Sequence, residues 1–184
     1  MTLSIASNVI GIPNTADLTQ IAPGTSNLPS TVLEAQLGEI RQGWDTTLGY
    51  GEFIYLKIPT ATAVAAGLLV TWTNNYTIAA LPALATSKNT NSPVAVAPIA
   101  ITSVTPVQYG WFQIQGAANV LKTAVAVSPN VIVFASGTAG RVKVLASAGG
   151  QIVGIRTMNV ASVTSTTSTV LVYLNRPAMQ GQVT

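Results

Sequence analysis

The sequence predicts an all-β protein, an antiparallel β-barrel or sandwich with an extended N-terminal arm, and three observations carry that expectation. Short runs rich in Val, Ile, Thr and aromatic residues recur through residues 36–184, bounded by Gly, Pro, Asn and Ser clusters, the pattern of strands and turns in a sheet protein. Turn formers punctuate residues 1–31, with Pro13-Asn14, Pro23-Gly24 and Leu28-Pro29-Ser30 interrupting the apolar patches Leu3, Ile5, Val9, Ile10 and Ile12, so no helix persists there. A motif also returns: YGEF at residues 50–53 is matched by YGWF at 109–112. Each copy is followed by a Thr-Ala-Val run, at 62–64 and 123–125, and then by an apolar strand. An alternating strand at 168–175 stands where a third copy would begin, which predicts a duplicated β unit with a step of roughly sixty residues.

The elements follow in order. Residues 1–35 read as the arm, whose apolar patches need a surface to lie on, and 36–184 as the body. Strands are expected at 36–42 and 52–58, around a loop at 43–51. In the second of these, Phe53, Tyr55 and Lys57 share one face and Glu52, Ile54, Leu56 and Ile58 the other. Strands at 68–73 and 76–80 join through Asn74-Asn75, a dipeptide tolerant of positive φ. Residues 83–92 read as a polar loop, and 94–101 as an edge or bulged strand because of Pro98.

The best-formed strand is YGWFQIQG at 109–116, with Phe112 and Ile114 expected inside the barrel and Trp111, Gln113 and Gln115 toward a neighbouring strand or subunit. Residues 117–129 are too short and too Val- and Thr-rich for a clear helix. Strands at 131–135 and 141–145 form a hairpin across Ser136-Gly137-Thr138-Ala139-Gly140, and strands at 151–159 and 168–175 complete the set.

At 184 residues the chain can bury one substantial core or two small ones. Charged residues make up only 7%, against roughly 25% in ordinary soluble domains, so much of the surface is expected to be covered by partners. The charge is also divided along the chain. All five acids, Asp17, Glu34, Glu39, Asp45 and Glu52, lie in the first 52 residues beside one base, Arg41, whereas the remainder holds seven bases and no acid. An acidic leading segment is suited to docking on a basic body.

The residue inventory disfavours several chemistries. With no His and no Cys, imidazole and thiolate metal sites, a Ser-His-Asp triad and a disulfide framework are not expected. The acids show no convergent pair of the kind glycoside chemistry requires. The glycine-containing segments at 137–141 and 148–150 lack the ending of a phosphate loop and read as turns. The bases are scattered singly apart from Arg141 and Lys143, two apart on one strand face, so direct nucleic-acid binding is not expected. No apolar run is long enough for a membrane-spanning helix and no secretory signal is evident. Catalytic residues, metals, cofactors and a small-molecule substrate are therefore absent from the expectation.

The segments LGEIRQGWDTTLGYGEFIYLKIP, GLLVTW, QYGWFQIQG, TAVAVSPNVIVFASGTAGRV and VYLNRP, in that order over about residues 37–177, resemble the head decoration, or capsid cement, proteins of tailed bacteriophages. The first 35 residues lie outside the likeness. The resemblance implies a virion protein, made in the bacterial host cytoplasm, that sits on the outer surface of an icosahedral shell and bridges neighbouring major capsid subunits. It implies self-association, as a homotrimer first and a dimer second. On this reading the interface comprises Leu3, Ile5, Val9, Ile10, Asp17 and Glu34 of the arm with Trp111, Gln113, Arg141 and Lys143 of the body. The alternative is a carbohydrate- or receptor-binding module of a virion surface or tail appendage, with Trp44, Tyr76 or Trp111 stacking on sugar rings.

Overall fold

Three long antiparallel strands frame the structure, a computed structural model that describes residues 3–5, 31, 33, 35–45, 47–102 and 106–182. They are β3 (Gly49–Ile58), β7 (Gln108–Leu121) and β11 (Thr169–Met179), side by side in that order. The shorter strands are β1 (Leu3–Ile5), β2 (Ile40–Asp45), β4 (Leu69–Trp72), β5 (Ile78–Ala80), β6 (Ala95–Val96), β8 (Ile132–Ala135), β9 (Val142–Lys143) and β10 (Gln151–Thr157). The only helix among the described residues is one turn, α1 (Leu84–Ser87). The protein is thus all-β, with a curled antiparallel sheet that forms half-barrels.

The sixty-residue step of the sequence reappears as topology. After β3 comes the hairpin β4–β5, then β6, which pairs with both β4 and β7. After β7 comes the hairpin β8–β9, then β10, which pairs with both β8 and β11. Each half curls until its hairpin meets the end of its own first strand through a parallel bridge, Lys57 to Thr77 in the first half and Lys122 to Val142 in the second. The YGxF motifs themselves are not in equivalent settings. Phe53 packs with Tyr55 and Trp111, whereas Phe112 packs with Ile54 and Leu56.

Each half-barrel holds its own core. Ile54, Leu56 and Ile58 of β3 meet Phe112 and Ile114 of β7 and Val70, Ile78 and Ala95 of the first half's short strands. Ala118 and Val120 of β7 meet Val170, Val172 and Leu174 of β11, Ile152 and Ile155 of β10, and Val133 of β8. Strands β4 and β6 lie between the two cores. Val70 and Ala95 point into the first, while Leu69 and Val96 point into the second. Burial on both faces explains why GLLVTW and VAVA are continuous apolar runs without alternation.

The strand β7 serves both cores because it changes face at a bulge. Phe53 pairs with Gln113 but Glu52 pairs with Gln115, leaving Ile114 as the extra residue, and a bulge of this kind re-aims the side chains beyond it. Two glycines close the distortion. Gly51 and Gly116 are directly opposite, Gly116 has φ +97°, and a Cβ on Gly51 would stand 2.5 Å from Gln115 O. The Gln113 amide reaches across the bulge, donating to Gln115 O at 3.1 Å and Ala117 O at 2.8 Å.

Several expectations are corrected here. The loop expected at 43–51 is mostly strand, reduced to a tight turn because the Asp45 carboxylate accepts the Thr47 and Leu48 N–H groups at 2.7 Å each. The strand expected at 109–116 runs on to Leu121 through pairing with β11. At the β4–β5 turn the positive φ falls on Tyr76 rather than on the Asn pair, and part of the loop expected at 83–92 is α1. The two-faced reading of β3 holds, with Phe53 and Tyr55 on one side and Ile54, Leu56 and Ile58 on the other.

Candidate functional site

The first half of β7 has no free face. Trp111, expected toward a neighbouring strand or subunit, is 4% exposed and packs on Tyr55 of β3 with ring centroids 4.9 Å apart. Ala35, Leu37 and Ile99 cover the same cluster, and the Arg41 guanidinium lies 5.5 Å over the Trp111 ring. Gln113, at 7% exposure, is committed to the bulge. Phe112 and Ile114 are inside as expected, so the strand is buried on both sides, and neither Trp111 nor Gln113 offers surface to a second subunit.

Arg141 and Lys143 lie at β9, away from that cluster in the sheet order. Both are half-buried and tied to their own chain, Arg141 donating to Lys122 O at 3.1 Å and Lys143 to Ser147 Oγ at 2.8 Å. In the arm, Leu3 and Ile5 belong to β1, which adds to the outer edge of β2 with Leu3 opposite Asp45 and Ile5 opposite Gly43. Val9, Ile10, Asp17 and Glu34 lie outside the described residues.

The remaining acids have structural partners. Glu39 pairs with Arg41 at 2.6 Å, Asp45 holds its turn, and Glu52 pairs with Arg176 at 2.9 Å. The last contact joins the acidic front of the chain to its basic remainder. Being partly exposed, it contributes no more than about 1 kcal/mol. Among the described residues no three acids cluster as metal ligands, and no helix is long and apolar enough to cross a membrane.

Among the described residues Lys122 is the one buried lysine or arginine. Its Nζ donates to Val125 O and Thr164 O at 3.0 Å each, with longer approaches to Thr123 O and Ser165 O. Burial lowers its pKa from the ordinary value. The ammonium ties the segment after β7 to the segment before β11, a structural role.

What the sheet leaves open is the face beyond the bulge. Gln115 stands opposite Glu52, and Tyr173 opposite Ala117, so both continue the face that carries Ile54 and Phe112. There the face meets solvent. Across four strands Gln42, Glu52, Gln115 and Asn175 are directly opposite one another in register. With its nitrogen turned to the carboxylate, the Gln115 amide donates to Glu52 Oε2 at 2.8 Å. Beside this polar row stand Tyr50, 79% exposed, and Tyr173, 47% exposed.

Tyr173 separates two clefts. The polar one, about 360 Å³, is lined by Gln42, Tyr50, Glu52, Gln115 and Tyr173 with the facing glycines. The other, about 490 Å³, is lined by Ile132, Val153, Ile155, Met158 and Tyr173 together with Asn175 and Arg156, which stands between Ile132 and Tyr173 in register. Ile132, Val153 and Met158 are all exposed. Of the aromatics considered for stacking, Trp111 is buried, Tyr76 lies against Gly38 and is 37% exposed, and the Trp44 side chain lies outside the described residues. Tyr50 and Tyr173 were missed because their adjacency depends on pairing between strands more than a hundred residues apart; the only local signal was the tyrosine of YGEF.

Comparison with protein-family models returns no match, and comparison with the curated proteins returns none either.

Proposed function

We propose that this chain is a structural protein of a tailed-phage head that binds the outer capsid surface and cements neighbouring major capsid subunits. The observation that carries the reading is the mainly apolar cleft on the outer face of β8, β10 and β11, where Ile132, Val153, Met158 and Tyr173 stand exposed around Arg156 in a chain only 7% charged. A contiguous apolar patch rimmed by polar groups marks a surface that meets a partner. The described acids serve turns and ion pairs, in keeping with a binding rather than a catalytic role. Self-association as a trimer, with a dimer second, belongs to the same proposal.

Two results are expected. Val153→Glu combined with Met158→Glu puts two charges into the contact, which lowers occupancy on purified shells at least tenfold in a co-sedimentation assay. Both side chains are already exposed, so stability moves by no more than about 0.5 kcal/mol. Removal of residues 1–30 lowers shell attachment and leaves the circular dichroism of the body unchanged. Unaltered occupancy in both variants contradicts the proposal.

A further inference from the structure

We infer that the polar cleft between Tyr50 and Tyr173 is a saccharide-binding site, adjoining the apolar surface assigned to the capsid, with which it shares Tyr173, and independent of that assignment. Three features point to a neutral, polyhydroxylated ligand. The walls are two exposed tyrosines, Tyr50 and Tyr173, and a tyrosine ring offers a flat apolar face with a hydroxyl at its tip. Such a face matches the C–H face of a pyranose.

The floor is the second feature. Gln42, Glu52 and Gln115 lie in register on three adjacent strands, presenting amide donors and acceptors and carboxylate acceptors at the strand spacing of about 4.8 Å. Vicinal sugar hydroxyls, which both donate and accept, are the natural partners of such a row. The row is also held in place, since Glu52 is fixed by Arg176 at 2.9 Å and by the Gln115 amide at 2.8 Å. Fixed polar groups lose little freedom when a ligand binds.

Charge supplies the third. Among the described residues the cation at the row is Arg176, which is paired with Glu52, while Arg156, on the strand beyond Tyr173, reaches Asn130. A phosphate or nucleic-acid ligand would meet the Glu52 carboxylate in the floor of the cleft, which opposes binding. At about 360 Å³ the cleft is at the small end of the roughly 300–1,000 Å³ typical of ligand sites, suited to one or two sugar rings. The facing glycines Gly51 and Gly116 form part of its lining.

The test is saturation-transfer NMR on the full chain. The probes are millimolar glucose, galactose, mannose and N-acetylglucosamine, each as monosaccharide and β-linked or α-linked disaccharide. The expected result is transfer to the ring protons of at least one probe. Transfer is at least fivefold weaker in Tyr50→Ala and in Tyr173→Ala, and unchanged in Ile132→Ser on the other side of Tyr173. The folded state of each variant is checked by its amide spectrum. Absence of transfer from every probe overturns the inference, as does transfer that survives the Tyr50→Ala, Tyr173→Ala double variant. If Tyr50→Ala loses shell occupancy and no probe binds, the polar face belongs to a protein partner and the saccharide site is rejected.

Discussion

Gly116→Ala is expected to destabilise the protein by about 3 kcal/mol or more. Two costs combine. Gly116 has φ +97°, outside the range an alanine adopts without strain. Its Cβ would also stand 3.0 Å from the Gly51 Cα, against the backbone of the opposing strand. Relief requires β3 and β7 to separate at the bulge where β7 passes from one core to the other. The injury is therefore to both half-barrels and not to a local turn. Gly137→Ala is the control, because a Cβ there meets nothing within 4 Å, and its expected change is within about 0.5 kcal/mol. Urea titration of both variants by intrinsic fluorescence checks the difference; equal midpoints would falsify the account of the bulge.

Lys122→Met is expected to cost about 2–3 kcal/mol, from backbone carbonyls left without their donor. Methionine keeps much of the stem volume, but Val125 O and Thr164 O each lose a hydrogen bond of 3.0 Å. The loss also carries a pH signature. Burial lowers the pKa of Lys122 below 10.5 in the folded chain, so between the lowered value and 10.5 the unfolded chain holds a proton that the native chain has released. Stability from this group therefore rises as pH climbs through that window, and levels off above it. In Lys122→Met this contribution is absent. Stability curves of the two proteins, compared from neutral pH to pH 10.5, should differ in slope in that sense; parallel curves would show that the ammonium is solvated rather than caged.

Much of the architecture was legible because it is local. The faces of β3 follow from simple alternation of Glu52, Phe53, Ile54 and Tyr55, and the long strands beginning at residues 49, 108 and 169 keep the sixty-residue step that the YGxF motif announced. The misreadings share one cause. Alternation in WFQIQ suggested one buried and one outward face, but the second face is covered too, where Trp111 joins Phe53 and Tyr55 in a separate apolar cluster. Trp111 and Gln113 read as outward because the cover from Ala35, Leu37 and Ile99 is contributed by chain far away in sequence. The bulge at Ile114 then reverses the expected faces downstream, which brings Gln115 and Tyr173 to solvent beside Glu52 and Tyr50. A sequence contains the glycines of that bulge, Gly51 and Gly116, but not their meeting.

The proposed role is that of a passive binder, and the arrangement suits it. Two small cores share one strand, most of the described charge is tied into the chain itself, and the surface left over is one open sheet face divided by Tyr173. The apolar side is assigned to the capsid and the polar side to a saccharide, so the two can be disabled separately. Val153 and Met158 govern the first and Tyr50 the second.

Cryo-electron microscopy of phage heads incubated with the full chain tests the central claim most directly. The account predicts ordered density on the outer shell between neighbouring major capsid subunits, with the face of β8, β10 and β11 at the contact. Heads without added density, or density confined to tail appendages, would contradict it.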